Sequence, residues 1–143
     1  MFKMKRIFTL LFFGIPFLSL IAQKNSFKIV PLGVLGGIDE SNLSAYMVAP
    51  AGTNGYVCFD AGTIHAGIEK SISNKEFKFN AARIQKEYIK GYFISHAHLD
   101  HVSGLIITSP NDSNKTVYAT DACMKMLQQY YFNGVAWANF GDD

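Results

Sequence analysis

The sequence predicts an α+β fold in which a mixed β-sheet is covered by helices. Two patterns carry that reading: a β-meander after the N-terminal segment, then alternating strand and helix. The first strand is Phe27–Val30 in "SFKIVPLGVLGG", ended by Pro31 and a glycine-rich turn. Ala45–Ala49 and Tyr56–Phe59 follow as two strands. The turn "PAGTNG" joins them, with Asn54-Gly55 as the hairpin signal. The second of them stops at Asp60. Residues 67–79 read as a polar connection of weak helical character. "NAARIQKEYIK" reads as a helix capped by Asn80 and closed by Gly91, with Ala81, Ile84 and Tyr88 on one face. "YFIS" is an apolar β run of the kind found in a central strand. A short helix "VSGLIITS" stopped by Pro110, a strand "TVYAT", and a helix "DACMKMLQQYYF" capped by Thr120 complete the order.

Composition narrows the function classes. The chain has 143 residues and is 49% hydrophobic with 17% charged residues, which predicts one globular domain or part of one. Residues 1–22 have Lys3, Lys5 and Arg6 ahead of an apolar run, Ile7 to Ala22. This is the pattern of a secretory signal peptide cleaved after Ala22. The run is shorter than a membrane span needs, and Gly14 and Pro16 interrupt it, so no stable membrane anchor is expected after cleavage. The expected location is periplasmic or extracellular. Cleavage removes three of the 13 basic residues and none of the 11 acidic ones, so the formal net charge falls from +2 to −1. The basicity belongs to the leader, and no nucleic-acid surface is implied.

Gly33, Gly36 and Gly37 do not have dinucleotide-loop spacing, and no clear helix follows them. The two cysteines, Cys58 and Cys123, lack CxxC spacing and are expected to be unpaired, with Cys58 a small apolar core residue.

Three of the four histidines fall in six positions of "GYFISHAHLDHVSGLIITSP". In an extended segment, residues two apart point the same way, so His96 and His98 can face one metal ion. Asp100 and His101 point elsewhere and can converge on a second. Two neighbouring metals can hold a bridging hydroxide and lower the pKa of water toward neutrality. His65, alone in "GTIHAGI", is expected to be a solvated histidine. Asp60 reads equally as a turn residue or as an acceptor behind a ligand histidine.

At these residues the chain resembles the metallo-β-lactamase fold superfamily, whose HxHxDH motif matches His96-Ala97-His98-Leu99-Asp100-His101. The wider "HAHLDHVSGLIITSP" resembles one family within it, the class II cyclic-nucleotide phosphodiesterases, through Leu99, Gly104, Ser109 and Pro110. "GVLGGIDESNLSAYMV", "CFDAGT" and "YFNGVAWANF" also resemble that family's segments, so the similarity spans residues 27–140.

The resemblance implies an αββα sandwich with metals at one edge of paired sheets, of which this chain covers about the N-terminal half. It implies zinc-dependent hydrolysis of 3′,5′-cyclic AMP, and of cyclic GMP in some members, to the nucleoside 5′-monophosphate. It implies two Zn2+ ions, the first on His96 and His98 and the second on Asp100 and His101. Asp60 would support the ligands, and Asp100 would also orient the nucleophile.

The family's further ligands are a histidine, a bridging aspartate and a last histidine. No histidine follows His101, and Asp112, Asp121, Asp142 and Asp143 fit no motif. Phe132, Trp137 and Phe140 want burial near the end of the chain. Residues 23–143 are therefore expected to be the N-terminal part of such a domain. Two other readings stand beside this one: another hydrolase of the superfamily, acting on a β-lactam, thioester or nucleic acid, and an inactive remnant or ligand-binding scaffold.

Overall fold

The computed structural model describes residues 26–112 and 114–140. The expected signal peptide, residues 1–22, lies outside them. One five-stranded sheet in the order β1-β2-β3-β4-β5 organises the chain: β1 Phe27–Gly33, β2 Ala45–Pro50, β3 Tyr56–Phe59, β4 Ile89–Phe93 and β5 Thr116–Tyr118. The first three strands pair antiparallel, and β3-β4 and β4-β5 pair parallel, which makes the sheet mixed as expected. Parallel neighbours need a crossover. Helices α1 (His65–Ser73) and α2 (Ala81–Tyr88) supply one, and α3 (Leu99–Thr108) supplies the other. Helix α4 (Asp121–Met126) continues into a wide π-type turn, Leu127–Tyr131. No helix of the described residues is long and apolar enough to cross a membrane.

The sequence places most elements correctly but misses some of their limits. Strand β1 runs through Pro31 to Gly33, because it is an edge strand and can carry a residue without an N–H. The tight turn between β2 and β3 falls at Pro50–Thr53, where Thr53 N–H donates to the Pro50 carbonyl, with Gly52 at φ +83 supplying the left-handed position. Asn54-Gly55 therefore lies beyond the turn. Residues 65–73 form a full helix.

The Asn80 side chain caps α2 as expected, accepting from Arg83 N–H at 2.9 Å. The helix ends at Tyr88 rather than Gly91, and Ile89 turns directly into β4. Its last carbonyls are satisfied from outside: the Lys115 ammonium donates to the Gln85, Lys86 and Ile89 carbonyls. Gly91 lies inside β4, where a Cβ would stand 2.7 Å from the Thr116 carbonyl oxygen of β5.

A single apolar cluster joins one sheet face to the helices. Met47, Tyr56, Cys58, Tyr92 and Ile94 meet Ile68 of α1, Ile84 of α2 and Val102 of α3. Burial of such side chains contributes about 1.5–3 kcal/mol each. Both cysteines are buried and unpaired. Burial pushes the Cys58 thiol far up, and its S–H donates to the Asp60 carbonyl at 3.1 Å.

The opposite sheet face is also apolar. Pro31, Tyr46, Phe59, Phe93 and Tyr118 stand in register across all five strands, and Phe59, Phe93 and Tyr118 are 42–53% exposed. The architecture of the described residues is thus one helical layer on one sheet.

Beneath β4 lies a polar lock that the sequence does not announce. Asp112 is 8% exposed and accepts from the Tyr92 hydroxyl and from Gln85 Nε2. Its other oxygen faces the Lys115 ammonium at 3.3 Å as an ion pair but takes no hydrogen bond. Tyr92→Phe strips a donor from this buried carboxylate and is expected to cost about 1–3 kcal/mol in urea unfolding. Tyr118→Phe, at an exposed hydroxyl, is expected to change stability little. Neither cysteine is expected to react with a thiol reagent near pH 8 until the chain unfolds.

Candidate metal centre

The candidate site forms where β3 and β4 end side by side. Strand β3 stops at Asp60, whose backbone N–H donates to the Phe93 carbonyl at 2.8 Å. Asp60 takes φ +55, a left-handed conformation that costs an ordinary residue about 1–2 kcal/mol and that aspartate tolerates better than most. Its side chain is held on several sides. Oδ1 accepts the Ser95 N–H at 2.8 Å, and Oδ2 accepts the Ser95 hydroxyl at 3.1 Å and His101 Nδ1–H at 2.8 Å. Burial alone would raise the Asp60 pKa. The Ser95 amide, the His101 ring and the Ser95 hydroxyl outweigh that effect and hold the carboxyl below its ordinary value.

After β4 the chain bends at Ser95 and continues through His96 and Ala97 to His98. Ala97 is buried between the two histidines, and its carbonyl accepts the Tyr131 hydroxyl at 2.9 Å, which fastens the loop to the π-type turn after α4. His98, extended at φ −74 and ψ 148, is the N-cap of α3. Asp100 and His101 therefore lie in the first helical turn, where a carboxylate also suits the positive end of the helix. The helix begins three residues earlier than the sequence suggests, which settles their direction.

The structure gathers the residues singled out in the sequence. The His96 and His98 rings are 4.6 Å apart between centroids, and the His96 and His101 rings 4.0 Å. His101 Nε2 is 3.3 Å from Asp100 Oδ2. Two donors each about 2.0–2.1 Å from one tetrahedral ion would be roughly 3.3–3.4 Å apart. The Asp60 contact keeps the His101 proton on Nδ1 and leaves Nε2 as the free donor. Imidazole and carboxylate groups fit a divalent metal in kind, and the His101–Asp100 pair fits it in distance as well. Among the described residues no three such groups converge on a single metal point, so they supply donor pairs rather than a closed shell. His65 stands apart on α1, exposed and 3.9 Å from Glu69.

Several supporting residues carried no signal of their own in the sequence. The loop after Asp60 and helix α3 meet backbone to backbone: Ala61 N–H donates to the His101 carbonyl at 2.7 Å, and Leu105 N–H to the Ala61 carbonyl at 3.1 Å. A Cβ on Gly62 would stand 2.1 Å from the Asp100 carbonyl oxygen, and one on Gly104 2.7 Å from that of Ala61. Thr63 Oγ1 accepts Leu43 N–H at 2.8 Å and donates to the Glu40 carbonyl at 3.0 Å, which ties down the "GGIDESN" loop. That loop brings Gly36 against the site, where its Cβ position is 3.3 Å from Asp100 Oδ2. Ser95 could have been noticed as a hydroxyl immediately before the first histidine.

Gly62→Ala forces this contact apart and is expected to lower stability by about 1–3 kcal/mol or more, read by urea unfolding. The same substitution is expected to shift the Asp100 and His101 backbone signals in NMR spectra.

Comparison with known proteins adds a family context. Residues 21–142 match the family described as cAMP phosphodiesterases class-II. The chain is 42% identical over 152 residues to a 3′,5′-cyclic-nucleotide phosphodiesterase of Aliivibrio fischeri, covering 99% of this chain and 46% of that protein. It is 41% identical over 127 residues to a probable 3′,5′-cyclic-nucleotide phosphodiesterase of Yersinia pestis, covering 82% of this chain and 37% of that one. The chain thus spans less than half the length of these curated relatives. The crystal structure of unliganded yeast PDE1 superposes with a TM-score of 0.67 at 20% identity, over 80% of this chain and 47% of that one, a likeness of fold.

Proposed function

We propose a function from one premise: the chain belongs to the class-II cAMP phosphodiesterase family. The reaction is hydrolysis of a 3′,5′-cyclic nucleotide to the nucleoside 5′-monophosphate, with cyclic AMP as substrate and cyclic GMP as a second one. The observation that carries this reading is the juxtaposition at the strand ends: His96 and His98 on one loop, Asp100 and His101 3.3 Å apart, and the His101 ring held from behind by Asp60.

In this reading His96 and His98 would hold one divalent ion and Asp100 and His101 a second, with zinc the metal we favour. The chemistry such ions supply when bound is Lewis-acid charge at the phosphoryl oxygen and a water acidified toward neutral pH. The chain's own residues hold and orient. Asp60 keeps the His101 ring in one tautomer and one direction. Asp100, at the edge of the site beside Gly36, orients the attacking water in line with the 3′ oxygen. We also read residues 1–22 as an export signal, which makes the mature protein periplasmic or extracellular.

The full protein is expected to convert cyclic AMP to 5′-AMP, to stop on chelation and to resume with added Zn2+. His98→Ala is expected to reduce turnover by more than the roughly 10–100-fold typical of losing a group behind a ligand. Cleavage of a β-lactam or RNA with cyclic AMP left intact would falsify this reading. Binding of cyclic AMP without turnover would make the protein a scaffold instead. For export, the N-terminus of the secreted protein is expected to be Gln23.

A further inference from the structure

Ser95 sits between Asp60 and His96. Its hydroxyl oxygen is 3.1 Å from Asp60 Oδ2 and 3.0 Å from His96 Nδ1. A serine hydroxyl has one proton, and an ionised carboxylate can only accept. The hydroxyl proton therefore goes to Asp60, and its oxygen is left as an acceptor toward the ring. His96 Nδ1 must then carry the ring proton and donate it. The chain of donors runs His96 Nδ1–H to Ser95 Oγ, Ser95 Oγ–H to Asp60 Oδ2, with His101 Nδ1–H reaching the same carboxylate from the other side at 2.8 Å. The Ser95 backbone N–H on Asp60 Oδ1 at 2.8 Å fixes the serine itself.

We infer that Ser95 is a positioning residue that relays the Asp60 carboxylate to His96, so that one carboxylate sets the tautomer of two histidines at once. Asp60 acts on His101 directly and on His96 through the serine. Both rings are thereby left with a bare Nε2. The use of that bare nitrogen rests on the metal-dependent reading above, whereas the tautomer does not.

The test uses the full protein, stripped of metal and labelled with 15N-histidine, in long-range 1H–15N spectra at a pH well above the histidine range. Wild-type His96 and His101 are both expected to show the Nδ1–H pattern. Ser95→Ala is expected to move His96 toward the Nε2–H pattern while leaving His101 unchanged, and Ser95→Thr to restore His96. The Ser95 N–H bond to Asp60 survives both substitutions, and the residue is exposed, so both variants are expected to fold. Zn2+ affinity, measured by competition with a chromophoric chelator, is expected to fall roughly 10-fold in Ser95→Ala and to return in Ser95→Thr. A His96 ring that is Nε2–H in the wild type, or that keeps its pattern in Ser95→Ala, overturns the relay. A wild type that takes up no Zn2+ overturns the metal reading instead, and the tautomer pattern still decides this one.

Discussion

The carboxylate of Asp60 is the contact on which the rest of the site depends. It accepts an amide and a hydroxyl proton from Ser95, in the loop between β4 and α3, and an imidazole proton from His101 in the first turn of α3. A half-buried carboxylate without such partners would sit in an unfavourable surrounding; with them it is held ionised and fixed in direction. The left-handed backbone at Asp60 follows from the same need. The chain must leave β3 and turn its side chain toward the neighbouring strand end, and the three hydrogen bonds more than offset that strain.

A second constraint is the closeness of two backbones. Gly62 and Gly104 let the loop after β3 and the first turns of α3 touch main chain to main chain, with no room for a Cβ. That contact decides where α3 starts, and so where Asp100 and His101 point. The parallel pairing of β3 with β4 brings both strand ends to one edge, as is usual for sites in sheets built with crossovers. Fold and site are therefore coupled through Asp60, Gly62 and the α3 N-terminus. The apolar core beneath, centred on Tyr56, Cys58 and Tyr92, keeps the two strands in register.

The sequence is legible where the physics is local. Caps at Asn80 and Thr120 form as expected, because a side-chain acceptor three residues before a free N–H needs no distant partner. The alternation of His96 and His98 survives as neighbouring rings, 4.6 Å apart between centroids, as residues two apart on one short loop can be. Limits set by distant partners are less legible. Gly91 looks like a helix stop but lies in a strand, since its lack of a Cβ serves close pairing with Thr116. Asn54-Gly55 looks like the hairpin turn but gives way to Pro50–Thr53, where Gly52 supplies the left-handed residue.

The sequence by itself determined the α+β order, the motif of the candidate site and the family to which the chain belongs. The element order rests on periodicity and capping, the candidate site on the rare clustering of imidazole and carboxylate groups, and the family on the resemblance of whole segments. Only the tertiary structure decided that Asp60 reaches His101, that Ser95 stands between Asp60 and His96, and that Asp112 is buried under Tyr92. Asp60 and His101 are 41 positions apart, and nothing in either local stretch specifies the other. Their meeting is set by the pairing of β3 with β4 and by the contact of Gly62 with Asp100, interactions that exist only once the sheet has formed.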